Sequence, residues 1–321
     1  MADSIIYVNA ETGNDTTGTG AELTPYKHIS RALEDVSDPV TDETTIFLMT
    51  ASADPFTEDG GELVVRGVRC LGEGAVLAIQ PSTWQENLYE AASDPFGGAG
   101  IFDITADRPV DVSMQMTFVD CTGIELRGLN FTPEDSNDDA GILVDGHSRV
   151  TVKYCSFELA DTPVCICGPA LLHLEMCYWR NNMIAITAAT GATLSLSGDN
   201  LILDARLIGI KGVDRAKLAV YPWEAKPTTY YTTTITTTVG QKEQYNAVLL
   251  RNGAFLGVSC DPLQPLDIYS GRLIIHHNSA KLPAQYYGVK MASQALLSGT
   301  DEMQFTMRNT KGETVEMPEG Q

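Results

Sequence analysis

Between residues 121 and 220, apolar-x-apolar triplets return in three columns, and this constrains the fold more than any other feature of the chain. The first column is Ile124-Glu125-Leu126, Val150-Thr151-Val152, Leu172-His173-Leu174, Leu194-Ser195-Leu196 and Leu218-Ala219-Val220, at steps of 26, 22, 22 and 24 residues. The second holds Leu129 and Phe131, Cys155 and Phe157, Cys177 and Trp179. The third holds Ile142 and Val144, Val164 and Ile166, Ile184 and Ile186, Ile208 and Ile210. Alternation with period two sends every second side chain to one face of a strand, so each triplet reads as a short strand with one buried face. Repeats of this length, each with three short strands, read as coils of a solenoid.

A β-sandwich also has short strands divided by turns, but it would not keep three columns in register through four successive turns. A leucine-rich horseshoe fits the repeat length, yet its L-x-x-L-x-L-x-x-N pattern is absent. The expected fold is therefore all-β: a single-stranded right-handed parallel β-helix in which each strand stacks on its equivalent, about 4.8 Å away. Its core is a column of like residues. Cys155, Phe157, Cys177 and Trp179 belong inside, while Lys153, His173, Glu175 and Tyr178 point outward or lie in turns.

Composition narrows the function. Lys and Arg number 21 against 42 Asp and Glu, a formal charge of −21. Such a surface lacks the basic footprint that phosphate backbones need, so no nucleic acid is expected as a partner. Anionic membranes and polyanionic polymers are disfavoured on the same ground, and the charge serves solubility. The seven cysteines at 70, 121, 155, 165, 167, 177 and 260 fall mostly within strand patterns. Cys165-x-Cys167 places two thiols on one strand face, a poor spacing for zinc. All seven are expected as free thiols in a protein made in a reducing compartment. The start, Met-Ala-Asp-Ser, has neither a basic segment nor an apolar core of a signal peptide, and no run approaches a transmembrane length. Synthesis in a cytoplasm without membrane insertion is the expectation.

Near the N-terminus, Ile5 to Asn9 read as a strand followed by a turn-rich loop. Thr24 is placed to cap a helix, Pro25 to open it, and Ile29, Ala32, Leu33 and Val36 share one helix face, which predicts a helix over 25–36. The order Tyr7-Val8-Asn9, Gly13-Asn14-Asp15, Thr24-Pro25-Tyr26-Lys27, Ile29 and Ala32-Leu33 resembles the opening of pectate-lyase-like right-handed β-helix proteins, among them many bacteriophage tail spikes and fibres. The resemblance implies that the helix caps the open end of the solenoid, which would otherwise expose apolar interior and unpaired strand edges. It covers about 30 residues at this end, and with the repeats it reaches about residue 220. Fold follows from it more firmly than activity, because this superfamily hosts lyases, hydrolases and inert fibres.

Three regions are expected: 1–40, the N-terminal strand and capping helix; 41–225, the regular coils; and 226–321, irregular coils with a Thr-rich insertion and polar tail. Strands are predicted at Thr45–Met49, Leu63–Cys70, Ala75–Ile79, Ile101–Ile104 and Met114–Phe118, with a polar excursion over 80–99. The Thr/Tyr-rich run 227–239 has high β propensity and reads as a longer strand or a hairpin leaving the coil. Coil-like pieces return at Ala247–Leu250, Leu273–Ile275 and Gly288–Met291, and the 41-residue step from Val248 to Val289 implies an insertion.

Glycoside cleavage needs two carboxyl groups flanking one bond, roughly 5 to 9 Å apart. Candidates are Asp145 with Glu158 and Asp161, and Asp199 with Asp204. With this many acids, a solvated face explains any such pair equally well. Asp135, Asn137 and Asp139 have the spacing that begins a calcium loop, but Ala140 and Gly146 stand where its Gly and bidentate Glu belong, so an acidic turn is the expected reading. No cofactor and no metal are expected. Neither His173 nor the His276-His277 pair belongs to a recognisable catalytic pattern. Tyr178, Tyr221, Trp223, Tyr230 and Tyr231 are candidates for stacking on sugar rings or for a subunit interface. The expectation that unites these readings is a virion protein similar to phage tail fibres or spikes. It is a homotrimer that contacts other tail or virion proteins and a host surface polysaccharide. A polysaccharide-degrading enzyme on the same fold is the alternative.

Overall fold

The structure, a computed structural model, describes residues 4–49, 54–83, 110–133 and 140–197, and from 201 to 315 a series of strands with short flanking pieces. Its strands are grouped mainly in three parallel sheets, of nine, eight and nine described strands. The chain visits these sheets in rotation. One round runs through Thr122–Arg127 in the first sheet, Asn130–Phe131 in the second and Gly141–Asp145 in the third. The next runs through Arg149–Lys153, Ser156–Glu158 and Val164–Ile166. A third runs through Leu171–Glu175, Tyr178–Arg180 and Ile184–Ala188.

The core is built by like stacking on like. Ile124, Val150, Leu172, Leu194 and Leu218 pair in line along the first sheet, and all are buried. Phe131, Phe157 and Trp179 pair along the second, with ring centroids 5.0 and 5.3 Å apart. Cys155 and Cys177 are buried beside them, and every described cysteine is a free thiol. The third column needs a correction. Val164 pairs with Ile186, and Ile186 with Ile210, so the column runs Ile142, Val164, Ile186, Ile210 rather than through Ile184 and Ile208. A slip of two residues leaves the strand face unchanged, which is why the sequence pattern does not detect it.

The corners are as regular as the strands. Gly128, Tyr154 and Met176, each following a first-sheet strand, all have φ between 53 and 63°. Leu159 and Asn181, following second-sheet strands, have φ of 64 and 56°. A left-handed conformation costs a non-glycine residue about 1–2 kcal/mol, so its recurrence at one corner reflects a bend that every round must make. The amide of Tyr154 bonds to the carbonyl of Glu175 at 3.0 Å and that of Leu159 to the carbonyl of Arg180 at 3.1 Å, joining successive rounds at their corners. Buried Asn182 adds a side-chain bridge: it donates to Phe157 O at 2.9 Å and accepts from the Ala160 amide at 3.0 Å.

The helix expected from Pro25 does not form there. Only α1 (Ile29–Glu34) is helical, preceded by His28 in extended conformation. The reason lies in the same motif. The Asn9 amide bonds to Tyr26 O at 2.8 Å and the Tyr26 amide to Tyr7 O at 3.0 Å, so residues up to 26 lie against the first strand as an added edge. The Asp15 carboxylate takes the amides of Lys27 and His28 at 2.8 and 3.1 Å. Asn9 and Asn14 fold the loop by accepting the amides two and three residues on. Gly13 is required because a Cβ there would stand 2.1 Å from Tyr26 O. Tyr26, Ile29 and Ala32 are buried in the common core cluster.

Farther along, the Thr-rich run divides. Thr229–Tyr231 pairs antiparallel with Trp223–Lys226, while Thr233–Thr237 returns to the second sheet. Val248 pairs with Leu273 in the third sheet and Val289 with Leu266 in the second, so the 41-residue step is not one coil with an insertion. The expected strand Ile101–Ile104 and most of the excursion over 80–99 lie outside the described residues. Among the described residues no helix is long and apolar enough to cross a membrane.

Candidate functional site

The outward positions of the first sheet form two adjacent rows across its rungs. In one row Glu125, Thr151, His173 and Ser195 are paired neighbours. In the other, Arg127, Lys153 and Glu175 are paired neighbours, continuing a line of Tyr7, Phe47 and Gln80 from earlier rungs. These positions face outward because their neighbours in sequence, Leu126, Val152, Leu172 and Leu174 among them, fill the core.

The rows are cross-linked. Arg127 bonds both to Glu125 and, through Nη1, to Gln80 Oε1 at 2.9 Å and Glu43 Oε1 at 3.2 Å. Lys153 Nζ lies 2.9 Å from Glu125 Oε1 and 3.9 Å from Glu175 Oε2. His173 Nε2 is 3.9 Å from Glu175 Oε2, and its Nδ1 is 3.1 Å from Ser195 Oγ. Although the groups lie on an outer face, the side chains of Glu125 and Glu175 are only 12% and 14% exposed. Neighbouring long side chains cover them, as the stems of Arg and Lys commonly do.

Electrostatics follow from that crowding. Burial pushes the Glu125 carboxyl up, but the bonds from Arg127 and Lys153 outweigh it and hold the group below the usual carboxylate range. Burial, aided by the Lys153 charge, lowers the pKa of His173. At neutral pH the face therefore presents an ionised Glu125 beside two cations, and a neutral His173 imidazole. Tyr7 and Phe47 add an aromatic pair at one end, with ring centroids 5.6 Å apart and half-buried.

The carboxylates singled out by sequence lie elsewhere. Asp145 closes a third-sheet strand, where it accepts the Gly146 amide at 2.7 Å. It also bonds to Cys167, whose thiol is pushed up to about 11 by burial and by this carboxylate. Asp161 precedes the facing strand by three residues, and Ile142 pairs with Val164, so Asp145 and Asp161 stand at opposite ends of the third sheet. At about 3.3 Å per residue that separation is roughly 20 Å, too far for one acid–base pair. Glu158 is half-buried, opposite Arg180 on the next rung, and exposed Asp161 lies 3.9 Å from Arg206. Asp204 belongs to the second-sheet strand Leu201–Ala205, whereas Asp199 lies outside the described residues. Asp135, Asn137 and Asp139 also lie outside them. Among the described residues no three His, Cys, Asp or Glu side chains are grouped to hold a metal.

Of the aromatic candidates, Tyr178 is half-buried on the second sheet. Tyr221 ends a first-sheet strand, and Trp223 pairs with Tyr231 and Glu224 with Tyr230 in the small antiparallel ladder. Glu43, Gln80, Glu125 and Arg127 were not recognised as site residues from sequence. The legible signal was the middle residue of each apolar triplet. The contributions of Glu43 and Gln80 were not legible, because they come from rungs 84 and 47 residues before Arg127.

No family model matches the sequence, and no curated protein matches it. Among solved structures the chain is similar to a rhamnogalacturonan lyase, with 13% identity, a TM-score of 0.41, and coverage of 93% of this chain and 75% of that one. It is also similar to a GH136 lacto-N-biosidase from Eubacterium ramulus. Its selenomethionine derivative gives 10% identity, a TM-score of 0.30 and coverage of 94% and 68%, and the native protein 12%, 0.26, 95% and 68%.

Proposed function

We propose that this chain is a structural virion protein of the phage tail-fibre or tail-spike kind, which binds a host surface glycan through the outer face of its first sheet. Its scaffold is a right-handed parallel β-helix, the hand that parallel crossovers adopt almost without exception. The segment around α1 closes its N-terminal end, and the protein acts as a homotrimer among other virion proteins. The N-terminal loop motif supports the scaffold, which phage tail spikes and fibres share with lyases and hydrolases. The observation that carries the binding role is the aligned polar ladder from Gln80 to Glu175, flanked by an aromatic pair. Its carboxylates are committed to cations, which suits recognition of hydroxyl groups better than proton transfer.

A second reading, a polysaccharide-degrading enzyme, is favoured by one feature: Glu125 and Glu175 share contact with a single ammonium, which keeps them within the reach of a carboxylate pair. Incubation with capsular and O-antigen polysaccharides separates the two. Retention without new reducing ends or unsaturated uronate absorbance is expected. Cleavage abolished by Glu125→Gln or Glu175→Gln would establish the enzyme instead. Mass measurement in solution tests the trimer, and a monomer at micromolar concentration would remove it.

A further inference from the structure

The charge arrangement of the first-sheet face identifies the class of glycan it can take, given that the face binds glycan at all. We propose that the ligand is an uncharged, hydroxyl-rich polysaccharide segment laid along the stacking axis. The two cations of the face are already engaged: Arg127 by Glu125 and Glu43, Lys153 by Glu125 and Glu175. A uronate or sulfate group would have to displace a half-buried carboxylate from one of them, in a molecule whose net charge of −21 repels polyanions. A cationic chain would gain from that field, yet Arg127 and Lys153 stand between the carboxylates and oppose it.

A neutral chain meets no such penalty. Arg127, 20% exposed, makes four bonds with its five N–H donors, which leaves one for a hydroxyl group. The rungs repeat about every 4.8 Å, comparable to the advance of one pyranose along an extended chain, so successive rings meet successive rungs. Tyr7 and Phe47, tilted at 58° on the first two rungs, offer apolar ring faces to the C–H side of a terminal sugar. The face thus combines an aromatic platform with a row of fixed polar groups, as sugar-binding surfaces require.

The test is affinity electrophoresis of the full chain through gels holding dextran, mannan or galactan, and through gels holding polygalacturonate or chitosan. Retardation by at least one neutral polymer, unchanged by added salt, is expected, with none by polygalacturonate and, by chitosan, only the salt-sensitive retardation that a net charge of −21 gives with any polycation. Phe47→Ala should weaken the neutral interaction about tenfold, the loss of one stacking contact. Glu125→Gln releases part of the charge on Arg127 and Lys153, so it should gain salt-sensitive retardation by polygalacturonate, with thermal melting verifying that it folds. Wild-type retardation by polygalacturonate, or salt-resistant retardation by chitosan, equal to that by any neutral polymer would overturn the proposal while leaving glycan binding intact. So would a folded Glu125→Gln variant that gains nothing. Absence of salt-resistant retardation by every polymer, neutral or charged, would remove glycan binding itself and this inference with it.

Discussion

The outer face of the first sheet and the corners between sheets are both rich in charged residues, yet they behave differently. On the face, Glu125, Arg127, Lys153 and Glu175 come from three successive rungs and share partners. At the corners, Asp145 bonds to the next amide in sequence and to Cys167 on the next rung, and exposed Asp161 lies 3.9 Å from Arg206. Strict strand register repeats an outward position every rung, so polar groups there meet their counterparts. The corners repeat as well, but through backbone φ and amide–carbonyl bonds, and their side chains meet in isolated contacts. Charge alone therefore does not mark a site in this fold; charge placed at a registered strand position does.

The largest effect should arise beneath both regions. Trp179→Ala empties the end of the Phe131–Phe157–Trp179 stack and should cost about 3–5 kcal/mol in chemical denaturation. A much smaller cost would mean that the stack does not hold face and corner in common register.

The contrast itself is tested next. Lys153→Met leaves two largely buried carboxylates without their shared cation and should lose about 1–3 kcal/mol at neutral pH. Asp161→Asn, at an exposed corner, should change stability by less than about 0.5 kcal/mol. Equal losses from the two substitutions would erase the distinction between face and corner.

Acid titration sharpens it further. His173 has a folded pKa below 6.5, so the folded state binds fewer protons in that window and stability should begin to fall as pH drops below about 6.5. Glu125 has a folded pKa below 4.5; its contribution is complete above that value and is lost as pH falls through the lowered one. Melting temperature followed against pH should therefore decline in two steps. His173→Gln should remove the upper step and Glu125→Gln should reduce the lower, to which Asp15 and Asp35, also held below the usual carboxylate range, contribute.

The smallest effect has the opposite sign. Leu159 is 56% exposed with φ of 64°, so it carries left-handed strain with little burial in return. Leu159→Gly should raise stability by up to about 1 kcal/mol, measured as a small increase in melting temperature. A loss would show that this corner leucine makes a contact in the assembled protein.

Much of the scaffold was legible in the residues. Period-two triplets returning every 22 to 26 positions require stacked strands with one buried face, and they sorted Cys155, Phe157, Cys177 and Trp179 inward correctly. They also sent Lys153, His173 and Glu175 outward. The loop motif was legible as a motif, though its effect on conformation was not. Pro25 looked like a helix start, but bonds from Asn9, Tyr7 and Asp15 hold residues 26–28 extended until α1 begins. Local propensity gave way to hydrogen bonds from a strand some 20 residues earlier.

What the sequence by itself determined was an all-β chain of parallel, stacked strands and the inward or outward sense of residues in the repeats between 121 and 220, because side-chain alternation is a local property of a strand. Which charged groups meet was decided only by tertiary structure. Register between rungs brings Glu43, Gln80 and Arg127 together across 84 residues of chain and sets Asp145 and Asp161 at opposite ends of a sheet. A two-residue slip leaves every face unchanged, as Ile184 and Ile186 illustrate, so alternation cannot encode register; packing and the bends at the corners impose it.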